Sequence, residues 1–298
     1  MPGSGTTMSD DDATDFARKL APHIDALFMA GHASARSQAR QVRENFGLAS
    51  FGLLIDLRVP LLHSSGVSLQ QVLAIERYVP PEEVRVTLDG HVHDGLLQRR
   101  GDGYVPTQQG REVLNSITDM LATSIAVLWR EQQEVVALAR PVLERVGHAA
   151  TLLPVDQYPA FHAMFPGSSP SRESDAYRVW SLCAALRYLR ADAHAAAWQT
   201  AGLSGPEVQV LSALWRGDEV PGGMDYPARL VQLGLLEREG RTPAITAVGR
   251  AVRDAIERAT DERNALAFAP QAPHERMELL LLLRSLPPGV ISGEPGRT

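Results

Sequence analysis

The chain has 298 residues, 44% of them hydrophobic and 21% charged, the balance of a globular protein with a core to bury. Its 29 basic and 35 acidic residues leave a net charge of −6, a poor overall match to a nucleic-acid polyanion. The lone cysteine, Cys183, excludes an internal disulfide and a multi-cysteine metal site.

The N-terminal stretch MPGSGTTMSDDDATD is acidic and polar and lacks the basic start and apolar segment of a signal peptide. Residues 1–11 are expected to be disordered, and the protein to be cytoplasmic, with no apolar run long enough to span a membrane. Lys19 is the one lysine among the basic residues, a usage expected of a GC-rich bacterial genome. Over 12–64, LAPHIDALFMAGHA and FGLASFGLLIDLRVPLL each carry the apolar stripe of a helix.

From about residue 65 a unit begins that recurs 139 positions later without a gap. GLLQRRGDGYVPTQQGR (95–111) aligns with GLLEREGRTPAITAVGR (234–250), and the identities reach back to Ser65/Ser204 and Arg77/Arg216. Such an internal duplication decides the fold and is best sought first. Each copy has the same predicted order. Ser65 or Ser204 caps a short helix, SLQQVLAIERY or PEVQVLSALWRG. A Pro- or Gly-bearing turn leads to a second helix, stopped by Gly95 or Gly234. LLQRR-GDG-YVP then reads as a hairpin, with LLERE-GRTP-AI its weaker copy, and Thr107 or Thr246 caps the next helix. After the first hairpin an apolar stripe runs from Val113 to Leu128, and a helix is expected from Thr107 to about Val146, kinked or broken at Pro141.

Residues 148–174 are rich in Pro and Ser and form the expected linker. Ser174 or Asp175 caps a long helix over about 175–201, and the second unit extends to 262. In the tail, 263–298, HERMELLLLLRSL is a short apolar helix ended by Pro287 and Pro288.

The order helix, turn, helix, hairpin, helix is the winged-helix arrangement. The pattern G-L-L-x-R followed by T-x-x-G-R in both copies resembles the wing and following helix of MarR-type winged-helix proteins. LRYLRADAHAAAWQTAGLSGPEVQVLSALWRG (186–217) is similar to a group of actinobacterial tandem winged-helix proteins. The resemblance implies a mainly α fold, with two tandem winged-helix units (12–147 and 175–262) joined by long helices. It further implies a DNA-binding transcriptional regulator responsive to a small aromatic or apolar ligand, acting as a homodimer or as an intramolecular pseudo-dimer. The alternative is a winged-helix scaffold repurposed as a small-molecule-binding protein or an enzyme of secondary metabolism that does not bind DNA.

The candidate DNA contacts are Arg85 and Thr87 on the second helix of the first unit, and Arg99 and Arg100 beside its hairpin turn. The same helix, PPEEVRVTLDGHVHD, carries Glu82, Glu83, Asp89 and Asp94 against the one arginine, which ill suits phosphate contact. Its second copy holds Asp225, Pro227 and Arg229. Arg187, Arg190, His194 and Trp198 fall at i, i+3, i+7 and i+11, one helix face able to line a pocket for an anionic aromatic ligand. Asp192 points away from it. The bland account is a seam between units, its arginines paired to acids such as Glu173 or Asp175. His91 and His93 would share a face on a strand, but on the predicted helix they point about 200° apart, so no metal site is expected. No nucleotide, zinc-hydrolase or nucleophile-elbow motif is present. Catalytic residues are thus unknown, and no cofactor is expected.

Overall fold

The computed structural model describes residues 10–48, 51–63, 66–165, 167, 174–220, 228–239 and 242–288. The chain is mainly α-helical. Helices α1 (Asp10–Ser34), α2 (Arg36–Asn45) and α3 (Gly52–His63) precede the first repeat. That repeat comprises β1 (Val67–Ser68), α4 (Leu69–Ile75), α5 (Pro81–His93), β2 (Leu97–Arg100), β3 (Gly103–Pro106) and α6 (Gln108–Leu128). A 3-10 turn at Arg130–Gln132 leads into α7 (Gln133–Ala150), α8 (Pro159–Met164) and α9 (Asp175–Thr200). The second repeat follows as α10 (Gly205–Arg216), α11 (Ala228–Gln232), β4 (Leu236–Glu239), β5 (Thr242–Ile245) and α12 (Ala247–Ala265), and α13 (Pro273–Ser285) closes the described chain.

The repeated sequence has a repeated physical cause. The hairpins β2–β3 and β4–β5 are both antiparallel, with Leu97 opposite Pro106 and Leu236 opposite Ile245. Thr107 donates its hydroxyl to the Gly95 carbonyl (2.6 Å) and accepts from the Gly110 amide (3.0 Å). Thr246 repeats both bonds with Gly234 and Gly249 at 2.6 and 3.0 Å. Each threonine thus ties the end of one helix to the start of another. Gly95 (φ +72°) and Gly234 (φ +68°) take the left-handed turn that ends the preceding helix. A Cβ on Gly110 would lie 1.9 Å from the Leu96 carbonyl oxygen, and one on Gly249 2.2 Å from that of Leu235, so only glycine fits either place.

Several expectations are corrected. Ser68 caps α4 in a capping box with Gln71 (3.2 and 2.9 Å). Ser65 lies outside the described residues, as do Glu173, Asp225 and Pro227. Residues 1–9 also lie outside them, and α1 already begins at Asp10. Strand β1, unforeseen at two residues long, pairs with β3. The helix after the first hairpin breaks at Trp129–Gln132 rather than at Pro141, where the fully buried Trp129 donates its indole N–H to the Pro287 carbonyl (3.3 Å). α7 continues through Pro141 because Pro141 and Ala137, whose carbonyl loses its donor, are both exposed to water.

Helix α9 is buried nearly all round and lies at the centre, packed on α1, α7, α8 and α12. Its first two thirds bury Trp180, Cys183, Leu186 and Leu189 in the larger core, and its end buries Trp198 in a smaller one with Leu211, Leu230 and Ile245. Burial pushes the Cys183 thiol up to about 12, which leaves it a packing residue. A buried ion pair ties the first repeat to α9, the helix that leads into the second. Arg77, after α4, reaches the Asp192 carboxylate on α9 at 2.5 Å, the side chains being 6% and 1% exposed. Asp192 also accepts from the amides of Phe161 (2.8 Å) and Ala160 (3.4 Å) at the start of α8. Burial pushes its carboxyl up, and Arg77 with these amides opposes the shift.

Replacing Asp192 by Ala leaves the buried Arg77 with the Ala191 carbonyl but no opposite charge, and should cost about 3–5 kcal/mol in urea unfolding. The double variant Arg77→Met/Asp192→Leu should lose much less than the two single changes summed. Single losses below about 1 kcal/mol would remove the pair from its structural role.

Candidate functional site

The exposed side of α5 and the first hairpin hold the four residues expected to touch DNA. Arg85 pairs with Glu82 at 2.5 Å one turn back, and Thr87 donates its hydroxyl to the Glu83 carbonyl (2.9 Å). Arg99 reaches from β2 to Asp89 of α5 at 2.5 Å and lies over the Tyr104 ring. Arg100 is exposed and has no ion-pair partner among the described residues. In the second repeat, Arg229 of the short α11 is bound to Glu207 (2.8 Å) and to the Gly202 carbonyl (2.7 Å). Glu207 itself braces the start of α10, accepting from the amide and hydroxyl of Ser204 at 2.8 Å each.

On α5 the helical geometry separates the two histidines, as expected. His91 is buried and its imidazole is pushed down by burial, whereas His93 is exposed. No group of three or more His, Cys, Asp or Glu suited to a metal occurs among the described residues.

A cleft of about 960 Å³ is bounded by α1, α9, α10 and α12. Three of the four residues read from the α9 stripe, Arg187, Arg190 and His194, line it together. Trp198 does not; it is buried in the smaller core, its indole N–H without a partner. The arginines have partners, though not the acids expected. Arg190 bridges Glu257 (2.8 Å) and Asp261 (3.1 Å) of α12, and Arg187 lies 3.0 Å from Asp25 and over the Phe28 ring. Asp175 instead pairs with Arg140 at 2.5 Å.

Sequence reasoning missed the opposite wall. Arg253 pairs with Glu257 and Ser212 and lies 5.3 Å from the centre of the Trp215 ring, whose N–H binds Asp254 at 2.9 Å. The i, i+4 spacing of Arg253 and Glu257 was the available signal.

His194 has a defined tautomer. The Thr260 hydroxyl donates to the Ile256 carbonyl (2.7 Å), so Nδ1 of His194, 3.0 Å from that hydroxyl oxygen, must carry the ring proton. Nε2 is therefore an acceptor. Burial, aided by the nearby arginines and opposed by Glu257, brings the imidazole down to about 4. At neutral pH the cleft offers an uncharged imidazole.

The same face of α6 lines a second opening of about 640 Å³. Asn115, Thr118, Asp119 and Ala122 border it, the counterparts at an offset of 139 of Asp254, Glu257, Arg258 and Asp261 in the cleft.

Residues 159–294 match the model of a helix-turn-helix family, a stretch that holds α8 to α13 and points to a DNA-binding helix-turn-helix regulator. No curated protein and no solved structure matches the chain significantly. Among the described residues no helix is long and apolar enough to cross a membrane.

Because the folded-state pKa of His194 lies below its ordinary 6.5, its contribution to stability is full above pH 6.5 and is lost as pH falls through 6.5 to about 4. His194→Gln should flatten that fall by an amount on the order of 3 kcal/mol, read from urea unfolding at stepped pH. The His194 ring resonances of the wild type should titrate near 4; a midpoint near 6.5 would refute the assignment.

Proposed function

We propose that the chain is a MarR-like regulator built of two tandem winged-helix units that binds DNA and answers to a small aromatic or apolar ligand. The observation that carries this reading is the doubled clamp of Gly, Thr and Gly, which seats a hairpin against the helices of both repeats in the same register. Arg85, Thr87, Arg99 and Arg100 are the proposed DNA contacts of the first unit.

Their ion pairs do not forbid this role. Arg99 and Asp89 are 62% and 54% exposed, and a pair so open to water holds together by about 1 kcal/mol or less. Exchange of Asp89 for a phosphate is therefore inexpensive. The ligand is placed in the cleft, where Arg190 and His194 meet Arg253 and Trp215. Its acceptors are the Nε2 of His194 and the unpartnered buried Oε1 of Gln209; its free donor is the Nε of Arg190. Since α10 and α12 form walls of this cleft and also frame the second hairpin, filling it would act on that unit directly. Two units in one chain would form an internal pseudo-dimer, with a homodimer as the alternative assembly.

A second reading, a small-molecule-binding protein that leaves DNA alone, is favoured by the acids on α5 and by the pairing of Arg85, Arg99 and Arg229. A salt titration with sheared genomic DNA decides between them. Under the first reading, binding weakens steeply with salt, and Arg99→Ala with Arg100→Ala lowers the slope by about 2. Absence of binding even at about 20 mM salt, where phosphate contacts are least screened, sinks it in favour of the second. A ligand found by screening should lose at least tenfold in affinity on Arg190→Ala or His194→Ala under either reading.

A further inference from the structure

A positive stripe lies away from the segments that a helix-turn-helix sets into a groove. Arg36, Arg40 and Arg43 of α2 are all exposed, and none forms an ion pair among the described residues. At 100° per residue the three fall within about 60° of arc. The opposite side of α2 faces inward: Gln38 accepts from the Ser124 hydroxyl of α6 at 2.6 Å, and Ala39 and Val42 pack on the larger core.

This stripe is not explained by the stability of its own helix. No residue of α2 is buried, and its first turn has no acid, so Arg36 stands at the positive end of the helix dipole, where a cation is unfavourable. Glu44 is the one acid of the helix. The chain has more acids than bases, 35 against 29, and many arginines are matched, as in Arg85–Glu82, Arg99–Asp89, Arg190–Glu257 and Arg229–Glu207; Arg100, Arg111, Arg130, Arg250 and Arg258 are exposed without an ion pair among the described residues, but α2 sets three such arginines on one face of one short helix. Three adjacent arginines left unmatched amid that excess call for an external anion.

Resting on the DNA-binding reading above, we infer that α2 is a phosphate-contacting helix that holds the DNA backbone beside the first unit. Arg36 to Arg43 spans about 10 Å, a length over which duplex DNA presents about six phosphate charges. The planar guanidinium forks suit phosphate oxygens in pairs. The Gln38–Ser124 bond ties α2 to α6, the helix that leaves the first hairpin at Thr107, so helix and hairpin are carried on one frame.

The test compares the wild type, the triple variant Arg36→Gln/Arg40→Gln/Arg43→Gln and the pair Arg99→Gln/Arg100→Gln on one duplex DNA across a salt series. Glutamine keeps the helix propensity of arginine, and circular dichroism with urea midpoints checks the fold. The triple variant should lower the slope of log affinity against log salt by about 2–3 and weaken low-salt binding at least tenfold. Each single variant should lower the slope by about 0.9. Wild-type binding with an unchanged slope in the triple variant overturns the role of α2 and leaves the DNA-binding reading standing. No wild-type binding at about 20 mM salt overturns both.

Discussion

The ion pair between Arg77 and Asp192 is the constraint on which the arrangement of the repeats depends. Two charges at that depth are costly to desolvate, and their attraction offsets the cost only with close geometry and further hydrogen bonds. Asp192 has both, with Arg77 on one side and the amides of Ala160 and Phe161 on the other. The carbonyl of Arg77 is held too: a Cβ on Gly205 would lie 2.3 Å from it, so the start of α10 rests directly on the turn after α4. Next in sequence, the Glu76 carboxyl is pushed up to about 7 by burial and by Asp56 beside it, while Tyr188 of α9 donates to Asp56 at 3.3 Å. The segment at residues 76–77 is thereby fixed to α3, α9 and α10 at once, and this sets the walls of the cleft.

Charge tells two different stories inside and outside. In the cleft, Arg190 and Arg253 share Glu257, and Arg190 also holds Asp261, so much of the pocket is neutralised by its own side chains. A ligand there gains little from bare charge and more from stacking and from the polar atoms left unmatched. On the surface, pairs such as Arg85–Glu82 are weak, and screening weakens them further. Contact with a polyanion then turns on cations with no acid to release and on the local excess of acids on α5. Those two quantities, rather than the net charge of −6, decide whether this chain attracts DNA.

The repeat was legible because its signals are local. Gly95, Thr107 and Gly110 each meet a steric or hydrogen-bond demand within a dozen or so residues, and the copy meets the same demands. The stripe of Arg187, Arg190 and His194 was legible for the same reason, since one helix fixes their common face. Trp198 shows where that logic ends: it follows the same spacing, but at the end of α9 the neighbouring body is the second core. Arg77 shows it more sharply. Its copy, Arg216, is the same residue in the same place, yet it pairs with Asp218 at the surface, 53% exposed. Only the position of α9, set by contacts more than a hundred residues away, separates a buried anchor from a solvated pair.

That difference bears on how the repeats can communicate. The cleft belongs to the second repeat through α10 and α12, and to the first through Tyr78, the neighbour of Arg77, which lines it. Its ion pairs join α9 to α12 through Arg190 and to α1 through Arg187. A molecule that broke the hold of Arg190 on Glu257 would leave α12 on α9 through Asp261 and through the bond of His194 to Thr260, while the buried pair keeps α9 tied to the first repeat.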